Sequence, residues 1–179
     1  MRLTLAFSLG LAFLASGMKC CNPPTEREDG IIRQYHDNGN LKLEASYKNG
    51  KKNGPFKSWY DNGQLYTEAH FENDSLVGRS VSYYRNGKKN YEDNYNKTHK
   101  LHGLSLFWYE NGVLGDSGRY ENGGFDGEWK RFFEIGRLKH TRNYRTGKLD
   151  GPSMYFDERG DTTKIQIYRQ GQLIESKDY

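Results

Sequence analysis

Cysteine is almost missing from this chain: the only two in 179 residues are the neighbours Cys20 and Cys21. Alpha carbons of adjacent residues sit about 3.8 Å apart, below the usual disulfide span, so a disulfide framework is excluded. Apolar residues are scarce too, at 34%, which is too few for a compact core. No concentration of charge of one sign exists either. The 27 basic and 23 acidic residues are scattered along the chain and leave +4, or +3 once Arg2 is removed with a leader. Nucleic-acid binding would want a basic stripe, so it is excluded as a class. Convergent catalytic groups are also wanting, and we expect neither an enzyme nor a cofactor.

The one long apolar run lies at the start. Residues 1–17 carry Arg2, an uncharged stretch from Leu3 to Ala15, and the small residues Ala15-Ser16-Gly17. Such a run falls short of the roughly 20 residues a bilayer span requires and reads as an export signal. The expected location is therefore periplasmic, envelope-associated or secreted. Cys20 or Cys21 is the candidate lipid acceptor, although Lys19 stands where a lipobox wants a small residue. Residues 18–29, with Pro23-Pro24 and no periodicity, read as a polar tether.

What is abundant is glycine and aromatic rings, and both fall in columns. Gly30, Gly54, Gly78, Gly103, Gly127 and Gly151 recur at steps of 24, 24, 25, 24 and 24 residues. Gly39, Gly63, Gly87, Gly112, Gly136 and Gly160 form a second column, and Tyr47, Phe71, Tyr95, Tyr120, Tyr144 and Tyr168 a third. Residues 30–174 are thus six tandem repeats, with a polar cap at 175–179. Position numbers below count each repeat from its first glycine.

Each repeat reads as a β-hairpin. Positions 3 to 8 and 11 to 18 are the strands. Asn38-Gly39, Asn62-Gly63, Asn86-Gly87 and Asn111-Gly112 supply the Asn-Gly pair that accepts positive φ at both central residues of a type I′ turn. Asn49-Gly50 and Asn122-Gly123 mark a second turn, with Asn73-Asp74, Thr146-Gly147 and Gln170-Gly171 as weaker versions. The third repeat departs: Asn96 to His102 holds one extra residue and no glycine, which predicts a bulge or longer loop. The fold class is all-β, an elongated single-layer antiparallel sheet of twelve or thirteen strands.

Side chains alternate across a strand, so positions 7, 12, 18 and 23 are expected on one apolar face, for instance Tyr60, Leu65, Phe71 and Leu76. Because 24 is even, that face survives from copy to copy. The opposite face holds the rings of position 6: Tyr35, Trp59, Tyr83, Trp108, Phe132 and Phe156. Flat rings among polar neighbours such as Lys57, Glu68 and His70 offer contact area at low entropic cost. The first five are the candidate partner-binding residues. His99 and His102 have metal-like spacing, but no cysteine or carboxylate within their loop joins them, and no metal site is expected. Glu44, Glu68 and Glu92 recur at position 15 and read as a solvated ladder.

The columns Gly-x4-aromatic-aromatic-x-Asn-Gly-x-Leu and Tyr-x-Asn-Gly, as in Gly103, Trp108, Tyr109, Asn111, Gly112, Leu114, Tyr120, Asn122 and Gly123, resemble the bacterial variant of MORN repeats. That group includes proteins labelled YwqK-type antitoxins. The resemblance implies an elongated sheet without chemistry of its own, serving as a protein-binding or membrane-proximal scaffold. It also implies a protein partner, a toxin if the chain is antitoxin-like or an immunity protein. The alternative is a cell-wall or glycan-binding module, motivated by the tandem aromatics Trp59-Tyr60 and Trp108-Tyr109.

Overall fold

The structure, a computed structural model, describes residues 29–179. The export signal, the lipid-acceptor cysteines and nearly all of the tether therefore lie outside the described residues. Thirteen strands follow one another: β1 (Gly30–Tyr35), β2 (Leu41–Lys48), β3 (Lys51–Trp59), β4 (Leu65–Glu72), β5 (Ser75–Tyr83), β6 (Lys89–Tyr95), β7 (Gly103–Trp108), β8 (Leu114–Glu121), β9 (Gly124–Phe132), β10 (Leu138–Arg145), β11 (Lys148–Phe156), β12 (Thr162–Arg169) and β13 (Gln172–Asp178). They form one open sheet in sequence order, every pairing antiparallel. Twelve spacings at roughly 4.8 Å make the sheet about 58 Å across. The expected all-β, single-layer architecture of hairpin repeats is what the chain adopts. The polar end begins within β13, where Glu175 to Asp178 pair with β12 at the edge of the sheet.

The two turns exchange the roles expected of them. At every first turn the amide of the position-10 residue donates to the position-7 carbonyl, as Gly63 does to Tyr60 at 3.0 Å, and the position-7 amide donates to position 11. Only the glycine has positive φ there, 84° at Gly63, while Asn62 does not. This is a type I turn closed by a glycine bulge, a three-residue loop rather than a type I′ pair. The type I′ geometry sits at the second turn instead: Asn49 and Gly50 have φ of 51° and 72°, Thr146 and Gly147 of 49° and 81°. The long loop foreseen in the third repeat is present at its second turn, and it takes the bonding pattern of a first turn, with His99 at φ 61° where the first turns carry glycine.

The bulge slips the ladder by one residue at the turn end of each hairpin. Gly54↔Phe71 and Ser58↔Thr67 keep the register foreseen from the spacing, but Trp59 faces Leu65 and leaves Tyr66 over. Position 12 therefore crosses to the side of position 6: Lys89 lies 5.2 Å from the Trp108 ring and bonds Glu92 at 2.7 Å. Position 13 crosses the other way, Tyr66 resting on Tyr60 with centroids 4.9 Å apart. The expected grouping of positions 7, 12, 18 and 23 thus loses its second member. A second irregularity, next to the position-1 glycines, shifts register by two, as between Ala45↔Phe56 and Tyr47↔Lys52. An even shift preserves faces, so the row of positions 18, 23 and 3 stays together.

Little is fully buried. Ala45, Tyr47, Val77, Val81, Gly115, Gly118, Thr141 and Ser153 are the buried residues among those described. Cohesion comes instead from cross-strand rows and from side chains reaching the next repeat. The hydroxyls of Tyr60, Tyr84 and Tyr109 donate to the carbonyls of Tyr83, Trp108 and Phe132 at 2.7 to 2.9 Å.

Candidate functional site

The five position-6 residues chosen from the sequence lie on one side of the sheet. Tyr35 is exposed, while Trp59, Tyr83, Trp108 and Phe132 are half-buried. The Tyr83 hydroxyl donates to Glu68 at 2.8 Å; burial, then that bond, pushes it up to about 12. The glutamates beside them are tied rather than solvated. Arg33 bonds Glu44, and Arg79 bonds Glu92, both at 2.7 Å. The Arg79 bond above all holds the Glu92 carboxyl at about 2, against the opposing cost of its burial. A carboxylate so fixed in its charged form has no proton to exchange near neutrality. The loop histidines are likewise committed apart: the ring of His99 meets the Leu76 carbonyl and His102 faces Glu121 at 3.4 Å. Among the described residues no cluster able to hold a metal ion forms.

The opposite side carries a trough of about 400 Å³ that the sequence reading did not single out. Two cross-strand rows make it. Positions 5 and 14 align Tyr91, Phe107, Asp116, Arg131, His140 and Tyr155 from β6 to β11. Positions 3 and 16 align Ser105, Gly118, Trp129, Arg142 and Ser153 across β7 to β11. The rings of positions 18 and 23 close one flank. Tyr120 and Phe125 stack at 5.0 Å, Phe125 lies 4.9 Å from Tyr144, and Trp129 meets Tyr120 and Phe125 edge-on at 5.2 and 4.8 Å.

Two glycines of β8 make the concavity. A Cβ on Gly118 would lie 2.1 Å from the Trp129 ring, and one on Gly115 would lie 2.5 Å from Phe107. Both rings therefore rest on bare backbone. The Trp129 indole N–H donates to the Arg119 carbonyl at 3.0 Å, which fixes its orientation.

Charges in the trough are unequal in their partners. Arg131 grips Asp116 with two bonds, Nε to Oδ1 at 2.7 Å and Nη2 to Oδ2 at 3.0 Å. His140 sits between Arg131 and Tyr155, its ring 5.7 Å from the tyrosine. Burial first, then Arg142 and Arg131, pull its pKa down to about 4, so it is neutral at pH 7. Arg142 takes part in no ion pair among the described residues; its guanidinium lies 5.7 Å from the Tyr155 ring, and although burial works to lower its pKa, bonding to the side chains of Tyr144 and Tyr155 raises it. Its Nε is buried without a hydrogen-bond partner, as is the hydroxyl of Ser153 opposite it on β11. A neutral imidazole, a neutralised carboxylate and one guanidinium without a carboxylate, among rings, make an arrangement for holding an anionic, partly apolar group.

The repeats themselves contain the signal that points here. In the first two, positions 5 and 14 hold Gln34, Leu43, Ser58 and Thr67, and positions 3 and 16 hold Ile32, Ala45, Phe56 and Ala69. In the fourth and fifth the same positions hold Ser105, Phe107, Asp116, Gly118, Trp129, Arg131, His140 and Arg142. One backbone accommodates both sets, so the hairpin does not demand the second.

Four segments, residues 28–49, 52–73, 76–97 and 101–115, match the model of the MORN repeat variant. No curated protein matches the chain.

Proposed function

We propose that this chain, carrying repeats of the MORN variant, is an exported, non-enzymatic scaffold that binds a protein partner through its sheet, as an immunity or antitoxin-like factor. The observation that carries the reading is the open single layer. Thirteen strands expose two broad faces, with no helix or second sheet laid over either among the described residues, and aromatic rings stand partly exposed on both. Exposed aromatic patches of this kind ordinarily meet a partner. The leader at residues 1–17 supports export, and placement of an exported immunity protein beside a toxin gene would fit.

The glycan-binding reading draws on the Trp-Tyr tandems. In both, the tyrosine hydroxyl is spent on the next repeat, Tyr60 on Tyr83 and Tyr109 on Phe132. Only Trp59 and Trp108 remain as platforms, and Trp108 already carries Lys89. A protein partner is therefore the stronger reading. Affinity capture with the wild type and with Trp59→Ala plus Trp108→Ala tests it: the double variant should lose the captured partner by about tenfold or more, the loss of about 1.4 kcal/mol of a hot-spot contact. Equal capture would remove the position-6 side from the account, and pelleting with purified peptidoglycan would favour the glycan reading.

A further inference from the structure

We propose that the trough spanning β6 to β11 is a binding site for a C-terminal aromatic residue of a protein chain, its carboxylate on Arg142 and its ring against Trp129 and Tyr144. The inference rests on the scaffold reading and names the part of the partner that this side of the sheet would take.

Four observations converge. Arg142 has no carboxylate of its own among the described residues, and its Nε is buried with nothing to bond. A guanidinium is the side chain best matched to a carboxylate, through parallel N–H donors in a fixed fork. Next, the other arginine of the trough is already satisfied by Asp116, and Lys130 on its lining pairs with Glu128 at 3.0 Å, so Arg142 is the one cation there without a carboxylate. Asp93 on β6 accepts the Ser105 hydroxyl and stands four strands, about 19 Å, from Arg142. Then, Phe125 lies 4.8 Å from Trp129 and 4.9 Å from Tyr144, a lining for a further ring rather than for a polar chain. Last, the volume of about 400 Å³ suits one large residue and not an extended peptide. A terminal residue is the one peptide unit that bears a carboxylate and a side chain on the same carbon, which is how Arg142 and the rings are placed.

A substituted backbone offers an internal comparison. Positions 3, 5, 14 and 16 are small or aliphatic for the most part in the first two repeats and become aromatic or charged where the trough lies. Packing alone asks for no such change, whereas recognition of an anion beside a ring asks for it.

The probe is N-acetyl-L-phenylalanine, compared with its amide and with acetate, titrated into the full chain while the Trp129 indole N–H signal is followed by NMR. The acid should shift the signal saturably, the amide should bind about tenfold more weakly or worse, and acetate should do nothing. Arg142→Gln should weaken the acid at least about tenfold, with Arg142→Lys recovering part of it. Equal shifts from acid and amide, or an Arg142→Gln protein that binds the acid like wild type, would overturn the proposal. The acid and amide comparison needs no variant, so it decides the matter even where Arg142→Gln does not fold. Because no partner is used, failure here leaves the capture experiment on Trp59 and Trp108 standing, and failure there leaves this site standing.

Discussion

Gly118 owes its place to a neighbour rather than to its own backbone. Its φ is not in the left-handed region, yet a single methyl group would overlap the Trp129 indole at 2.1 Å. Position 16 holds alanine in the first two repeats, at Ala45 and Ala69, so the strand itself tolerates a side chain there. Gly118→Ala should therefore cost about 1–3 kcal/mol, the usual penalty of overpacking, and should break the indole bond to Arg119. Urea unfolding and the Trp129 indole signal check this. An unchanged signal with unchanged stability would show that the indole does not rest on β8.

In the first four repeats the first turn is held by an asparagine, and it does two jobs. In Asn111 the side-chain oxygen accepts the Val113 amide at 2.9 Å, and the amide group donates to the Glu134 carbonyl of the next repeat at 2.9 Å. Asn38, Asn62 and Asn86 do the same toward Asp61, Arg85 and Glu110. One bond shapes the turn and the other ties it to the neighbouring turn. Asn111→Ala should lose about 1–2 kcal/mol, two partly exposed bonds at roughly 0.5–1.5 each. Asn111→Asp, which keeps the acceptor and loses the donor, should recover about half; full recovery would mean that the inter-repeat bond contributes nothing. The Asn-Gly pair was legible as a turn, but the motif alone did not distinguish type I′ from a type I turn with a glycine bulge. That choice does not rest on the asparagine, since Ile135 and Arg159 stand in its place in the fifth and sixth repeats and the same turn bonds form around Gly136 and Gly160.

Protonation should unfold the sheet in two separate windows, because its two most displaced groups titrate in different ranges. His140 faces Asp116 on β8, Arg131 on β9, Lys139 and Arg142 on its own strand and Tyr155 on β11, and its pKa falls from 6.5 to about 4. The unfolded chain takes up that proton first, so the stability is fully present above 6.5 and is lost as pH falls toward 4. Glu92, beside Arg79 and Lys89, drops from 4.5 to about 2. Its contribution is present above 4.5 and is lost as pH falls toward 2. Thermal midpoints should decline through both windows in the wild type. His140→Gln should flatten the upper window alone and Glu92→Gln the lower one alone; an unaltered slope in either variant would show that the paired group is not linked to folding.

The period of 24, the two glycine columns and the ring columns were enough to establish an open antiparallel sheet, because an even repeat length and side-chain alternation leave few other ways to keep rings in rows. Local spacing also gave the body register, Gly54 against Phe71 and Phe71 against Leu76. The exchange of faces at positions 12 and 13 was not legible, since it follows from a single leftover residue at each bulge. Nor was the trough: Asp116, Arg131, His140 and Tyr155 stand at least nine residues apart along the chain and become neighbours only when β8, β9, β10 and β11 lie side by side. Reading down a column shows what each repeat has in common, while a ligand site is built across strands, from the residues in which repeats differ.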